Sequence, residues 1–219
     1  MKALFIKDLR IVMKQQRFTL ILFLAVIILL TFATDNPFFG IAYLLFLIPT
    51  ILLSTIGYDA FENGMAYLMA LPVSRKTYVK EKYVLAVGGS FIINVVASVL
   101  TFLLACMRGM QIEVTDVLIC SLLSQILVLI YSALILPVNL RYGTEKGRVI
   151  MIIMAVCIGA SGPFVSSLAE EQNSTLLALK ESILRFGLVN LLLAILFLCI
   201  VFVMISYYVA VKWLEKKEY

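Results

Sequence analysis

Residues 58–83 read YDAFENGMAYLMALPVSRKTYVKEKY and lie between two long apolar segments of the chain. The stretch carries seven charged side chains: Asp59, Glu62, Arg75, Lys76, Lys80, Glu81 and Lys82. On either side of it the sequence is apolar over lengths that suit a membrane. The stretch is therefore the largest surface that the chain can offer to a soluble partner on its basic side.

Composition indicates that much of the chain is surrounded by lipid. Hydrophobic residues make up 63 % of the 219 residues and charged residues only 14 %. A soluble domain has about 45–50 % apolar and about 25 % charged residues, and one of this size could not hide so much apolar surface. The sequence contains no histidine, which excludes most zinc sites and histidine-based catalysis.

Six apolar segments are long enough to cross the hydrocarbon layer, which needs about 17–25 residues. We predict an all-α, polytopic membrane protein in which residues 1–219 form one domain. The predicted spans are 18–34, 38–57, 84–107, 117–138, 149–168 and 186–211.

The segment before the first span predicts an amphipathic helix on the membrane surface. Its two faces are basic (Lys7, Arg10, Lys14 and Arg17) and apolar (Phe5, Ile6, Leu9, Val12 and Met13). A solvated basic tail is the alternative.

The distribution of basic residues predicts the orientation. With six spans, fifteen Lys and Arg residues fall on the side of the termini and of the loops 58–83 and 139–148, and three fall on the other side. Basic residues accumulate in cytoplasmic loops, so we expect both termini in the cytoplasm. The net charge of +5 then reflects membrane orientation and not nucleic acid binding.

The absence of several chemical motifs from the sequence argues against several classes of function. No GxxxxGK[ST] phosphate-binding loop is present, so this chain is not expected to be an enzyme that hydrolyses ATP. The spans contain no ionisable residue near their middle, which disfavours an ion-coupled carrier. We expect no metal site and no intramembrane catalytic pair.

Several uncharged polar residues lie within the spans and allow two interpretations. They could line a substrate path, or they could form hydrogen bonds between helices. The candidates for a substrate path are Asn94, Ser98, Thr101, Ser124 and Gln125.

The polar stretch predicts two short helices separated by a turn. Phe61, Met65 and Leu68 are at helical spacing, and Pro72 cannot continue a helix. Ser74 is a suitable N-cap for a second helix that starts at Arg75. The first helix could lie parallel to the membrane and dock into a groove of a soluble partner; a solvated connector is the alternative.

These residues resemble the first cytoplasmic loop of small bacterial ABC-2-type permeases. The matching parts are Glu-Asn-Gly at 62–64, Leu-Pro-Val-Ser-Arg-Lys at 71–76, Val79, and Lys-Tyr at 82–83. The second basic loop, Tyr-Gly-Thr-Glu-Lys-Gly-Arg at 142–148, resembles the turn after the fourth span of that family.

The resemblance implies a permease subunit of an ATP-driven exporter in the bacterial cell membrane. Such permeases work as homo- or heterodimers, with ATP and Mg²⁺ bound by a separate ABC ATPase, and family members export amphipathic, toxin or antimicrobial peptides. A channel or a secondary carrier without an ATPase is the alternative. The residues implied to couple to the ATPase are Asp59, Glu62, Met65, Leu68, Leu71, Pro72, Ser74, Arg75, Glu145 and Lys146.

Overall fold

A computed structural model of the chain describes most of its length, and every bounded element in the described part is a helix. The described residues are 2–15, 17–33, 38–61, 64–65, 68, 74–110, 112–143, 145–146, 148–150, 152–153, 156 and 188–216. The bounded helices are α1 (Lys2–Gln15), α2 (Arg17–Ala33), α3 (Phe39–Ala42), α4 (Leu44–Ala60), α5 (Arg75–Met107), α6 (Val114–Tyr142) and α7 (Leu188–Glu215).

The start of α5 confirms the predicted N-cap. Ser74 has extended backbone angles, and its hydroxyl accepts a hydrogen bond from the backbone N–H of Thr77 at 3.2 Å. The 33 residues of α5 rise about 50 Å, whereas the hydrocarbon layer is about 30 Å thick. Part of α5 therefore extends beyond the lipid, and the assignment of that part to the charged first turns before Val84 stays a prediction.

The end of α6 depends on a glycine. Gly143 has φ +88°, a conformation that L residues with side chains rarely adopt. Its N–H bonds to the carbonyl of Asn139 at 2.9 Å and closes the last turn. The glycine of the second basic loop therefore has a conformational role.

Helices α5, α6 and α7 form the centre of the bundle. Gln125 of α6 bonds to Ser90 and Asn94 of α5, and these two helices run antiparallel. Ser206 of α7 donates to the carbonyl of Ala133 of α6, and the Tyr142 and Trp213 rings meet further along, so α6 and α7 run parallel. The end at which α4, α6 and α7 finish and α5 begins is called the charged end below.

The outer surface of the helices is apolar, which confirms a membrane protein. Ile92, Leu103 and Met204 are more than half exposed although they lie within long helices. Three helices in the described part are long and apolar enough to span a membrane, namely α5, α6 and α7. A fourth candidate is the pair α1 and α2, whose axes differ by 60°.

The predicted count of six spans stays a prediction. Helices α2, α5, α6 and α7 overlap the first, third, fourth and sixth predicted spans, and α3 and α4 together overlap the second. The predicted fifth span, 149–168, falls mainly outside the described residues.

Helix α1 has three faces and not the two that the sequence predicted. Its basic face is present, and the apolar residues Phe5, Ile6, Leu9 and Met13 are exposed. A third row, formed by Leu4, Asp8 and Val12, packs inward against the bundle. This row includes an aspartate that is completely buried.

Candidate functional site at the charged end of the bundle

The charged end brings together segments that are far apart in the sequence. Arg75, at the start of α5, donates to the last carbonyls of α7, those of Leu214 at 3.1 Å and Glu215 at 2.7 Å. A cation that bonds the free carbonyls at a helix C-terminus also interacts favourably with the helix dipole. The start of α5 is thereby fixed to the end of α7.

A buried ionic cluster joins α1, α4 and α5 at this end. Lys82 of α5 bonds to Asp8 of α1, and its ammonium lies 2.8 Å from a carboxylate oxygen of Asp59 of α4. The side chains of Lys82 and Asp8 are fully buried and that of Asp59 is 4 % exposed. Lys82 therefore links both ends of the 58–83 stretch to the N-terminal helix.

Asp59 accepts three interactions within this buried ionic cluster. Lys7 and Lys82 contact its carboxylate, and the Tyr78 hydroxyl donates to it at 2.9 Å. Burial opposes ionisation, but the charges and hydrogen bonds of the two lysines outweigh it, so the pKa of Asp59 lies below its ordinary value. Asp59 is thus a carboxylate over the physiological pH range.

The Asp59 carboxylate also raises the pKa values of two of its neighbours, Tyr78 and Lys7. Burial and Asp59 together raise the pKa of the Tyr78 hydroxyl well above its ordinary value, so Tyr78 stays a neutral donor. Burial tends to lower the pKa of Lys7, but the hydrogen bond and charge of Asp59 outweigh it and raise that pKa. Lys7 is one-third exposed and is the part of the cluster that reaches solvent.

Glu81 is the fifth charged side chain of the cluster, after Asp8, Asp59, Lys7 and Lys82. It has no close partner of opposite charge. Its side chain is 2 % exposed, and its nearest cation, Lys82, is 4.0 Å away. Among the described residues, neither of its carboxylate oxygens has a hydrogen-bond partner, and the same holds for Oδ1 of Asp8. Buried polar atoms without partners are rare in folded proteins.

The predicted coupling segment packs partly into the protein's own core. Met65 and Leu68 are each 9 % exposed and belong to the main hydrophobic cluster. A Cβ on Gly64 would lie 2.9 Å from the carbonyl oxygen of Asp59, so a glycine is needed where this segment crosses the end of α4. Glu62, Leu71 and Pro72 lie outside the described residues.

The other predicted coupling residues lie nearer the surface. Ser74, Glu145 and Lys146 are exposed, and Arg75 is half-buried. The Lys146 ammonium lies 5.0 Å from the centre of the Tyr142 ring, within the range of a cation–π interaction. The structure therefore separates a buried subset from an exposed subset, and the coupling role of both stays a prediction.

A cavity opens beside α4 at the same end. It has a volume of about 500 Å³ and its lining includes Gly57, Tyr58, Phe61 and Arg148. Phe61 is 69 % exposed and Tyr58 is 45 % exposed. Large exposed aromatic residues beside a concavity are typical of a binding surface.

The candidate substrate-path residues lie mainly between α5 and α6. The Asn94 amide donates to Gln125 at 2.9 Å and to the carbonyl of Ser121 at 2.9 Å, and Gln125 donates to Ser90 at 2.9 Å. Ser98 and Ser124 bond to carbonyls of their own helices. Interhelical hydrogen bonding is therefore present, and a role in a substrate path stays a prediction.

Thr101 differs from its neighbours. It is fully buried, and its hydroxyl has no hydrogen-bond partner among the described residues. Its oxygen lies close to Gly40, where an added Cβ would be 3.4 Å away. Gly40 thus allows α3 to approach α5 at Thr101.

Sequence reasoning missed Asp8, Tyr78 and the pairing of Lys82. For Asp8 a signal was available, because residues four apart share a helical face. Asp8 lies between Leu4 and Val12 on such a face, so an acidic residue occupies an otherwise apolar row. An acid in that position indicates a buried partner of opposite charge.

Among the described residues, no group of three or more carboxylate or cysteine side chains could hold a metal ion.

A model of the ABC-2 family transporter proteins matches residues 3–215, nearly the whole chain. The chain belongs to the ABC-2 transporter family. This membership supports an ABC-2 permease located in a membrane and, in general, an ABC ATPase as its partner. No curated protein and no solved structure matches this ABC-2 permease.

Proposed function

We propose that this ABC-2 permease is the transmembrane subunit of an exporter that is driven by a separate ABC ATPase. The observation that carries the proposal is the position of Lys82, which bonds to Asp8 and Asp59 across the base of the 58–83 stretch. A displacement of this stretch by a bound ATPase would act on α1, α4 and α5 together. The buried ionic cluster is thus suited to transmit ATPase closure to the spans.

The exposed aromatic surface at the charged end would contact the ATPase. Tyr58 and Phe61 lie beside the 500 Å³ cavity with Arg148, and Glu145 and Lys146 are exposed in the second basic loop. Interface hot spots are rich in aromatic residues and arginine. Met65 and Leu68 are buried, so they would fix the coupling segment to the permease and not contact the partner directly.

The direction of the helices supports the proposed topology, with both termini in the cytoplasm. Helices α6 and α7 run parallel, so both finish at the charged end. A fifth span at 149–168 is compatible with this arrangement. The 60° angle between α1 and α2 suits a surface helix that leads into a span, with the exposed Phe5 and Leu9 in the lipid.

Dimerisation and the export of amphipathic peptides complete the proposal. Both rest on the family resemblance, since ABC-2 permeases act in pairs. The apolar outer surfaces of α5 and α7 leave room for a second copy. Purified complex should show ATP hydrolysis that rises when an amphipathic peptide is added.

The proposal is tested by co-purification with the ABC ATPase encoded near this gene. Phe61→Asp alters the exposed surface, and Met107→Asp is the matched control because Met107 is 80 % exposed at the other end of α5. We expect Phe61→Asp to reduce the bound ATPase and the ATP hydrolysis at least tenfold, and Met107→Asp to leave both unchanged.

Two outcomes would contradict the proposal. If no ABC ATPase is recovered with the unaltered permease, the chain acts as a channel or carrier. If Phe61→Asp binds the ATPase as well as the control does, the contact surface lies elsewhere.

A further inference from the structure

The buried ionic cluster at the charged end contains an odd number of charges. Its carboxylates are Asp8, Asp59 and Glu81, and its ammonium groups are Lys7 and Lys82. If all five are ionised, one negative charge is uncompensated among these described groups, and of the five side chains only that of Lys7 reaches solvent. Burial of an uncompensated charge is so costly that such a group usually becomes neutral instead.

The geometry identifies the group that lacks compensation. Asp59 has two cations and the Tyr78 hydroxyl as partners, and Asp8 has Lys82 and, at 3.2 Å, Lys7. Glu81 has only Lys82 at 4.0 Å and no hydrogen bond within the described part of the chain. The unsatisfied charge therefore belongs to Glu81.

The carboxyl groups of Glu81 and Asp8 flank the same ammonium, that of Lys82, which contacts Asp8 and lies 4.0 Å from Glu81. Oδ1 of Asp8 has no hydrogen bond in the described residues, although Lys7 is 3.2 Å away. Two ionised carboxylates are both acceptors, so they repel each other and leave these oxygens unsatisfied. One proton on Glu81 would make it a donor to Asp8 and would also remove the excess charge.

We propose that Glu81 and Asp8 form a carboxyl–carboxylate pair that binds one exchangeable proton, and that loss of this proton loosens α1 from α5. In the bound state the O–H of Glu81 donates to Asp8. On release the proton passes to water or buffer, and Glu81 is left as a buried carboxylate beside Asp8. The proposed ATPase coupling is needed only for an effect on transport; the proton site itself is a property of the fold.

The charged neighbours define the pH range. Facing the pair are Lys7 from α1, Asp59 from α4, and Tyr78 and Lys82 from α5; on the α7 side, Glu215 pairs with Lys76. Burial, with Asp8 adding and Lys82 opposing, raises the pKa of Glu81 to about 7. The pKa of Asp59 is lowered and those of Lys7 and Tyr78 are raised, so these three groups do not titrate between pH 5 and 8.

The sign of the stability change follows from linkage. Between the ordinary pKa of a glutamate and about 7, the folded protein binds more protons at Glu81 than the unfolded chain does. Stability therefore falls as the pH rises through this range and stays low above it. Glu81→Gln keeps a donor toward Asp8 and carries no charge, so it should abolish this dependence.

The test measures thermal unfolding of the full-length permease in detergent at pH 5 to 8. We expect the unaltered protein to lose several degrees of Tm across this range, and Glu81→Gln to keep a nearly constant Tm. Glu113→Gln, which removes an exposed carboxylate at the start of α6, should behave like the unaltered protein.

A second measurement, infrared difference spectroscopy, should show a protonated carboxylic acid at pH 6 that is absent at pH 8.5 and in Glu81→Gln.

An unchanged pH dependence in Glu81→Gln would overturn the proposal. The absence of a protonated carboxylic acid signal from the unaltered protein at pH 6 would also overturn it, whether or not the variant folds. Both measurements use the permease alone, so either result is independent of whether the ATPase binds at the charged end.

Discussion

Lys82 of α5 bonds to Asp8 of α1 across 74 residues of sequence, and both side chains are fully shielded from solvent. Such a pair gains little net stability over apolar residues of similar size, because burying each ion is costly. Removal of one partner is a different matter, since the remaining charge is then buried alone. Any arrangement of α1 and α5 that separates Lys82 from Asp8 is therefore strongly disfavoured.

Replacement of Lys82 by methionine should strongly destabilise the permease. The change leaves Asp8 and Asp59 to share Lys7 as their cation, and the loss of one partner of a buried ion pair costs about 3–5 kcal/mol. For a chain of this size that corresponds to roughly 6–20 °C in Tm. Thermal unfolding in detergent measures it. Lys80→Met is the matched control because Lys80 is exposed, and equal stability of the two variants would contradict a structural role for the ion pair.

Replacement of Gly64 by alanine should destabilise the coupling segment. The new Cβ would lie 2.9 Å from the backbone carbonyl of Asp59, so the segment that carries Met65 and Leu68 has to shift. Overpacking of this kind costs about 1–3 kcal/mol. Gly88→Ala is the control, since nothing lies within 4 Å of the added Cβ and alanine favours the helix by about 0.5–1 kcal/mol. The close approach is refuted if both variants have the Tm of the unaltered protein or higher.

Replacement of Ser74 by alanine should weaken the start of α5. The N-cap bond to Thr77 is lost, which costs about 1 kcal/mol, or roughly 2–4 °C in Tm. Ser74→Asp retains an acceptor for the same N–H and should keep the stability. If aspartate and alanine lower the Tm equally, the hydroxyl does not act as a cap.

Replacement of Gln125 by leucine should reduce stability by about 1 kcal/mol. The variant loses hydrogen bonds to Ser90 and Asn94 of α5, and such contacts in membranes are worth about 0.6 kcal/mol each. Ser98→Ala removes bonds within α5 only and should have a smaller effect. Transport assays in vesicles distinguish the two interpretations, because under the proposed peptide export a change in which peptides are transported would place Gln125 in the substrate path.

The sequence predicted those features that depend on local pattern. Long apolar segments predicted the helices, because each satisfies its own backbone within the membrane. The N-cap at Ser74 followed from the preference of serine for that position. These features need no knowledge of which helices are neighbours.

The sequence did not reveal the pairing of charges. Lys82 and Asp59 both belong to a polar stretch that resembles a solvated loop, yet both side chains are buried and both form ion pairs with α1. In the same way, the helical spacing of Met65 and Leu68 did not reveal that they pack into the core, and their coupling role stays a prediction. Helical spacing shows that residues share a face, but not what that face packs against.

The 74-residue separation of Asp8 and Lys82 also bears on how the protein is made. Chains are synthesised at about 5–20 residues per second, so Asp8 is available roughly 4–15 s before Lys82 has been added to the chain. During that interval Asp8 has only its neighbour Lys7 as a cation, and the buried ion pair that holds the N-terminal helix against α5 cannot form. Final docking of this helix should therefore be a late event in biosynthesis, and a nascent chain truncated before Lys82 should leave the N-terminal segment open to proteases.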